Sequence, residues 1–299
     1  ADAALQAGMR CGLSRGIVGD SDGSKLKENL RLAENYSGRD GLVNVQLGPH
    51  APYTVPFELM KEIAERAKET GLGVQLHWLE TASEWSISGL EGKMTPEEYL
   101  SETGMIDVTN LLLAHCVWVD KGSAAFYARD NVTFAHNPKS NLKLGSGTAP
   151  LPDFLKAGVR VSLGTDGAAS NNRLDIWDEL RAAALIHKGI TRDPTRVTSA
   201  EVLKMATLNG AIALGFKNTG LIKEGYEADM VLIDLDRPHY VGWNNVNLPG
   251  YIVYAGSSSD VKATVVAGKM LYKNGSFTEI DKERTVAEAN AARRKLLGC

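Results

Sequence analysis

Val159-Arg160-Val161-Ser162-Leu163-Gly164-Thr165-Asp166-Gly167-Ala168-Ala169-Ser170-Asn171-Asn172 is the stretch from which the fold is read. Its first half is mostly apolar and β-favouring, and it runs into Gly-Thr-Asp-Gly. It therefore reads as a buried strand that delivers one carboxylate, Asp166, to its C-terminal mouth, where glycines let the chain turn. In parallel α/β folds the active site sits at that end of the strands, and an acid there can bind a metal, act as a base, or do both. A lone acid in this place can equally cap the next segment, so its company decides.

Outward from it the same plan repeats. Residues 9–18, 42–48, 73–78, 110–116, 132–136 and 159–166 read as strands, and helices are expected over 25–36, 56–70, 174–187 and 199–214. In 56–70 the spacing of Leu59, Ile63 and Ala67 makes one apolar face, and Gly71 stops the helix. Strand and helix in alternation predict a parallel barrel or a doubly wound sheet. The texture changes near Gly215: residues 225–234 and 261–272 read as short β segments, and the last twenty or so residues as a helix. The expected division is a barrel over 1–215 and, over 216–299, half of a small β domain plus a terminal helix.

Composition narrows the function. The 299 residues carry a net charge of −3 with dispersed cations, which argues against nucleic acid or an anionic membrane as partner. No apolar run reaches the roughly 18 residues of a membrane span. The cysteines, Cys11, Cys116 and Cys299, lack disulfide-framework spacing, so the expected location is the reducing cytoplasm. Of six histidines, four (His50, His77, His115 and His136) fall at or just past strand ends. With Glu80 and Asp166 they form a convergent metal or acid/base constellation. His187 and His239 have no motif around them and read as structural. Trp78, Trp85 and Trp118 lie near this mouth, where core packing is their default role and stacking on a ring the alternative.

Five ordered motifs carry a resemblance: Gly48-Pro49-His50-Ala51-Pro52-Tyr53, His77-x-x-Glu80-Thr81, Ala114-His115-Cys116-Val117-Trp118, His136-Asn137-Pro138-x-Ser140-Asn141-x-Lys143-Leu144, and the stretch ending at Asn172. Together they closely resemble the amidohydrolase superfamily, and within it the 5′-methylthioadenosine/S-adenosylhomocysteine deaminases. The resemblance implies a (β/α)8 TIM-type barrel with a small β-sandwich appendage. It implies hydrolytic deamination of an adenosine-type purine to the inosine analogue and ammonia, with one divalent metal, zinc or iron, as cofactor. By it, His77 and Asp166 bind the metal, Asp166 takes a proton from water, Glu80 protonates the purine ring nitrogen, and His115 holds the attacking oxygen. His50, Glu80, Asn137 and Ser140 contact the substrate by the same likeness, with an ordinary turn histidine as the alternative for His50. His136 belongs to the pocket wall. Arg15 and Lys25 fall where these deaminases bind the substrate's amino-acid carboxylate, although Lys25 reads equally well as a solvated helix start.

The sequence departs from the family in two respects: it contains no His-x-His pair, and six strands are found where a closed barrel needs eight. The first two strands are expected to be missing, so that this chain is an inactive truncation that binds metal poorly, its open edges covered in a homo-oligomer, dimer or tetramer. The alternatives are hydrolysis of another ring (guanine, pterin or a chloro-triazine) and a non-catalytic remnant that serves as a binding module.

Overall fold

The computed structural model describes residues 1–20 and 22–298. After a short helix, α1 (Asp2–Ala7), the strands are β1 (Cys11–Leu13), β2 (Gly16–Ile17), β3 (Val43–Pro49), β4 (Gly73–Trp78), β5 (Leu111–His115), β6 (Val132–His136) and β7 (Arg160–Leu163). Among the described residues they form one sheet in the order β1-β3-β4-β5-β6-β7, with β2 also beside β3, and every pairing is parallel. The strand expected over 9–18 is thus two pieces, broken at Ser14-Arg15. The break has a partner: the buried side chain of Asn29, on α2 (Ser24–Tyr36), accepts from the Arg15 and Gly48 amides (3.2 and 3.1 Å) and donates to the Gln46 carbonyl (3.0 Å). Asn29→Ala leaves three backbone groups unpaired at that junction and should lower folding stability by about 2–4 kcal/mol in urea unfolding. A loss within error would show that water replaces the side chain.

Strand alternation sorts the two faces. Val74, Leu76 and Trp78, with Leu111, Leu113, Val132, Phe134 and Val161 on the neighbouring strands, form the buried face. They share a core with Met60, Ile63, Ala64 and Ala67 of α3 (Phe57–Thr70). The expected helical face is present but broader, because Met60 and Ala64 join Ile63 and Ala67. Gly71 ends α3 at φ 71°, the left-handed cap that costs glycine least.

The segment between β4 and β5 is partly helical, with α4 (Glu84–Ile87) and α5 (Pro96–Glu102). Then come α6 (Pro138–Leu144) after β6, α7 (Leu151–Ala157), α8 (Ala168–Asn171) and α9 (Ile176–Thr191). The helix expected over 199–214 runs from Ser199 to Ala213 through a π-helical turn at Met205–Asn209. Its C-terminal carbonyls need donors: the Gln46 and Asn110 side-chain amides donate to the Ala213 carbonyl (3.0 and 2.9 Å), and the Asn44 amide donates to that of Leu214.

Four antiparallel strands follow, in the order Ser276–Phe277, Lys269–Lys273, Val261–Val266, Met230–Ile233. The single β segment expected over 261–272 is a hairpin turning at Ala267-Gly268. Arg10, just before β1, pairs with Asp229 and Glu227 and ties this sheet to the parallel one. The terminal helix spans Lys282–Leu297 and buries no residue.

Candidate active site

The C-terminal ends of β3 to β7 bring seven of the expected side chains together, those of His50, His77, Glu80, His115, Asn137, Ser140 and Asp166. The His50 carbonyl, just past β3, accepts from both the His77 backbone amide (2.8 Å) and His77 Nδ1 (2.9 Å). His77 Nδ1 therefore carries the proton, and Nε2 is the lone pair left for a metal or substrate. His50 Nδ1 meets the Thr54 hydroxyl at 2.8 Å, and that hydroxyl donates onward to the Ala51 carbonyl. His50 is thus also protonated at Nδ1, with Nε2 as an acceptor. Burial, and then His77 beside it, push its pKa down, so it stays neutral.

His115 reaches the mouth by a route strand alternation does not foresee. In the ladder it pairs with Trp78, a residue of the buried face. Its φ of 74°, followed by 52° at Cys116, is a left-handed excursion rare for such side chains. The turned ring stacks on His77 with centroids 5.4 Å apart, and His77 lies 4.7 Å from His50. Asn141 Oδ1 accepts from His115 Nδ1 (2.8 Å), which therefore keeps its proton, and Asn137 Nδ2 lies 3.4 Å from the same nitrogen. His115 Nε2 then faces the Glu80 carboxylate at 3.7 Å, and the Ser146 hydroxyl reaches the other Glu80 oxygen at 3.5 Å.

Asp166, three residues past the end of β7, has φ 59°. Its Oδ2 accepts from the buried Ser140 hydroxyl at 2.6 Å. Burial pushes its carboxyl up, but hydrogen bonds from Ser140, Ser170 and the Gly167 amide, with His115 nearby, outweigh that and hold its pKa below the ordinary carboxylate value. It is ionised at neutral pH. Gly164 has a steric reason: a Cβ there would stand 2.3 Å from Asn137 Oδ1, so only glycine lets that amide lie against the end of β7.

Other expected residues stand apart. Arg15 pairs with Glu28 at 2.8 Å, and Lys25 donates to the Val18 carbonyl, both on the rim beside β2. Trp78 is buried, donating to the Tyr127 hydroxyl at 3.3 Å, and Trp85 packs on Trp78 and Tyr99. Trp118 is 52% exposed, with its Nε1 on the Ser146 carbonyl, beside the mouth.

His136 corrects the expectation of a pocket-wall residue. Alternation continues through it, so it lies on the buried face with Phe134, its Nε2 3.4 Å from His187 Nε2 of α9. Burial, then the neighbouring His187 and His115, push His136 down to about 3, and burial pushes His187 down to about 4. Both folded values lie below the roughly 6.5 of a free imidazole. Between them the unfolded chain binds more protons, so stability is full above about pH 6.5 and falls as pH drops toward 4, by about 1.4 kcal/mol per pH unit per ring. His187→Gln should remove about half of that slope in urea unfolding at stepped pH; an unchanged slope would contradict it.

Two buried carboxylates that no sequence motif singles out brace the mouth. Glu84, 1% exposed, accepts from the Leu79 and Glu80 amides (2.9 and 2.8 Å). Glu179 of α9 accepts from the Asn171 side chain (2.7 Å) and the Lys139 amide (3.1 Å), tying the loop after Asp166 to the start of α6. Burial raises the pKa of both against those bonds. Only their spacing to the motifs, four residues after Glu80 and thirteen after Asp166, hints at them.

Among the described residues, no group of three or more His, Cys, Asp or Glu side chains is placed to hold a metal ion, and no helix is long and apolar enough to cross a membrane. Cys11 and Cys116 are free thiols, and Cys299 lies outside the described residues.

Comparison with known proteins agrees with this arrangement. The chain is 41% identical over 293 residues to a 5-methylthioadenosine/S-adenosylhomocysteine deaminase of Dictyoglomus thermophilum, covering 97% of this chain and 68% of the relative. It is 40% identical over 303 residues to a 5′-deoxyadenosine deaminase of Methanothermobacter thermautotrophicus, covering 100% of this chain and 70% of that one. A crystal structure of an adenosine deaminase from Xanthomonas campestris with bound zinc superposes with a TM-score of 0.92 at 31% identity, over 100% of this chain and 69% of that chain. In fold the parallel sheet is an incomplete TIM-type barrel with an antiparallel appendage. With residues 1–271 matching the Amidohydrolase family as well, the chain belongs to that family.

Proposed function

We propose that this mouth deaminates an adenosine-type nucleoside, such as methylthioadenosine, S-adenosylhomocysteine or 5′-deoxyadenosine, to its inosine analogue with release of ammonia. The observation that carries the reading is the convergence of Glu80, His115 and the Ser140-held Asp166 around the His50–His77 pair. It gains support from relatives named for the same reaction.

One divalent metal belongs to this reading, and zinc is preferred because the superposed adenosine deaminase binds it. The donor set fits part of such a site. His77 offers a free Nε2 whose tautomer is fixed by the His50 carbonyl, and Asp166 is an ionised carboxylate whose Oδ2 is held by the Ser140 hydroxyl. These two would hold the ion, and two protein ligands make its affinity low. When bound, the metal supplies a water made acidic enough to act as nucleophile near neutral pH.

The chain's own groups do the rest. Asp166 accepts the proton that leaves the attacking water, and His115 Nε2, left as an acceptor by Asn141, holds the same water. Glu80, protonated, gives its proton to the ring nitrogen beside C6, so negative charge does not build up on the ring as the oxygen adds. The proton held by Asp166 then passes to the amino group, the C6–N bond breaks, and ammonia leaves as the carbonyl forms, the remaining proton of the added oxygen going to Glu80 and restoring its starting form. His50 Nε2 accepts from a ribose hydroxyl or the exocyclic amino group of the nucleoside. Arg15 and Lys25 on the rim await a substrate carboxylate, and Arg15 would exchange Glu28 for it.

The test is incubation of the purified chain with excess zinc and each nucleoside, following binding by equilibrium dialysis and turnover by ammonia. Saturable binding with conversion to the inosine analogue supports the reading. Absence of both for every adenosine-type nucleoside, or turnover of guanine or a chloro-triazine instead, overturns it.

A further inference from the structure

Glu84 lies four residues past Glu80, at the start of α4, and has no part in the chemistry proposed above. Its side chain is buried, and its two oxygens are divided between two consecutive backbone amides, those of Leu79 and Glu80. Leu79 is held at φ 48°, a left-handed conformation that a side chain of this kind adopts at a cost. The neighbouring peptide groups are pinned as well: the Cys116 and Trp118 amides donate to the Trp78 and Leu79 carbonyls, both at 2.9 Å. The turn after β4 is thus clamped to β5 on one side and to a single carboxylate on the other. Glu80 leaves this turn to stand 3.7 Å from His115 and 3.5 Å from Ser146.

We propose that Glu84 is a positioning residue for Glu80, its carboxylate holding the Leu79–Glu80 turn in the left-handed form that aims the Glu80 carboxyl at the reacting ring. The inference rests on the proposed role of Glu80. A structural carboxylate with no bearing on the site would have satisfied amides anywhere along the 81–109 connection, whereas this one takes the amide of Glu80 itself and that of the residue before it. Two acceptor oxygens are required. Glutamine keeps the shape but turns one oxygen into an NH2 that faces a backbone N–H, so one bond is lost and a donor meets a donor. Aspartate is one methylene shorter and cannot span both amides.

The experiment compares wild type with Glu84→Gln and Glu84→Asp. For the folded Glu84→Gln enzyme in zinc excess, kcat should fall by about 10–100-fold, as expected when a catalytic group is misplaced by about an ångström. KM and zinc content should stay near wild type. Glu84→Asp should not rescue the rate. A purely structural role would lower the melting temperature and leave kcat per folded molecule unchanged, which would overturn the proposal. A second readout needs no turnover: in the zinc-free chain, amide hydrogen exchange at Leu79 and Glu80 should speed up by about tenfold or more while the β5 amides keep their protection, and the Glu80 carboxyl carbon resonance should move. Should wild type itself release no ammonia, it is the deaminase reading that fails, and this readout still decides the proposal. Unchanged exchange and an unmoved Glu80 resonance in Glu84→Gln would overturn it.

Discussion

Asp166→Asn should reduce deamination by about a thousandfold or more, because one substitution removes a proton acceptor and a metal ligand together. The carboxylate is held for that double task. It sits on a left-handed residue past the end of β7, one oxygen is fixed by Ser140, and the surrounding donors keep it ionised despite partial burial. An amide is nearly isosteric and can still accept from Ser140, so the fold should survive. It cannot take a proton from water, and it is a poor ligand for a divalent ion. Zinc affinity should fall by more than the roughly 10–100-fold that loss of an outer-shell partner costs. Steady-state rates and zinc titration of the same preparation check both halves. Wild-type turnover in Asp166→Asn would remove the residue from the mechanism.

Glu80→Gln should separate the two halves. Glu80 faces His115 and Ser146 and is not one of the two groups proposed to hold the ion, so zinc binding should match wild type while kcat drops by about a hundred- to ten-thousandfold, the range general acid catalysis contributes. A glutamine can hydrogen-bond the ring nitrogen but has no proton to give it. Nucleoside affinity should change little. Normal turnover would make Glu80 a bystander, and loss of zinc would make it a ligand.

Much of this arrangement is legible in the sequence, for a physical reason. Parallel strands buried by helices need apolar runs, and the polar residue that ends each run falls at the mouth by topology alone. His50, His77, Glu80 and Asp166 could therefore be placed from strand ends. What escapes is decided after the last ladder pair. Period-two alternation assigns His115 and His136 to the same face, yet a positive φ turns His115 into the mouth while His136 continues straight and meets His187 behind the sheet. Hydropathy cannot see a dihedral angle. The carboxylates of Glu84 and Glu179 escape for another reason: a charged residue in the first turn of a helix reads as solvent-facing, and only the backbone amides or side-chain amide it satisfies show that it is buried. Asn29 at the break between β1 and β2 is the same case, an ordinary helix residue by pattern and a junction by contact.

The measurement that tests the central claim most directly is a titration of the histidine ring resonances with 5′-methylthioadenosine, using the Glu80→Gln chain in excess zinc so that the nucleoside is held without being consumed. The account predicts saturable shifts at His50, His77 and His115, with His136, His187 and His239 unmoved. No shift at the first three, or shifts confined to the others, would contradict it and place the nucleoside somewhere other than this mouth.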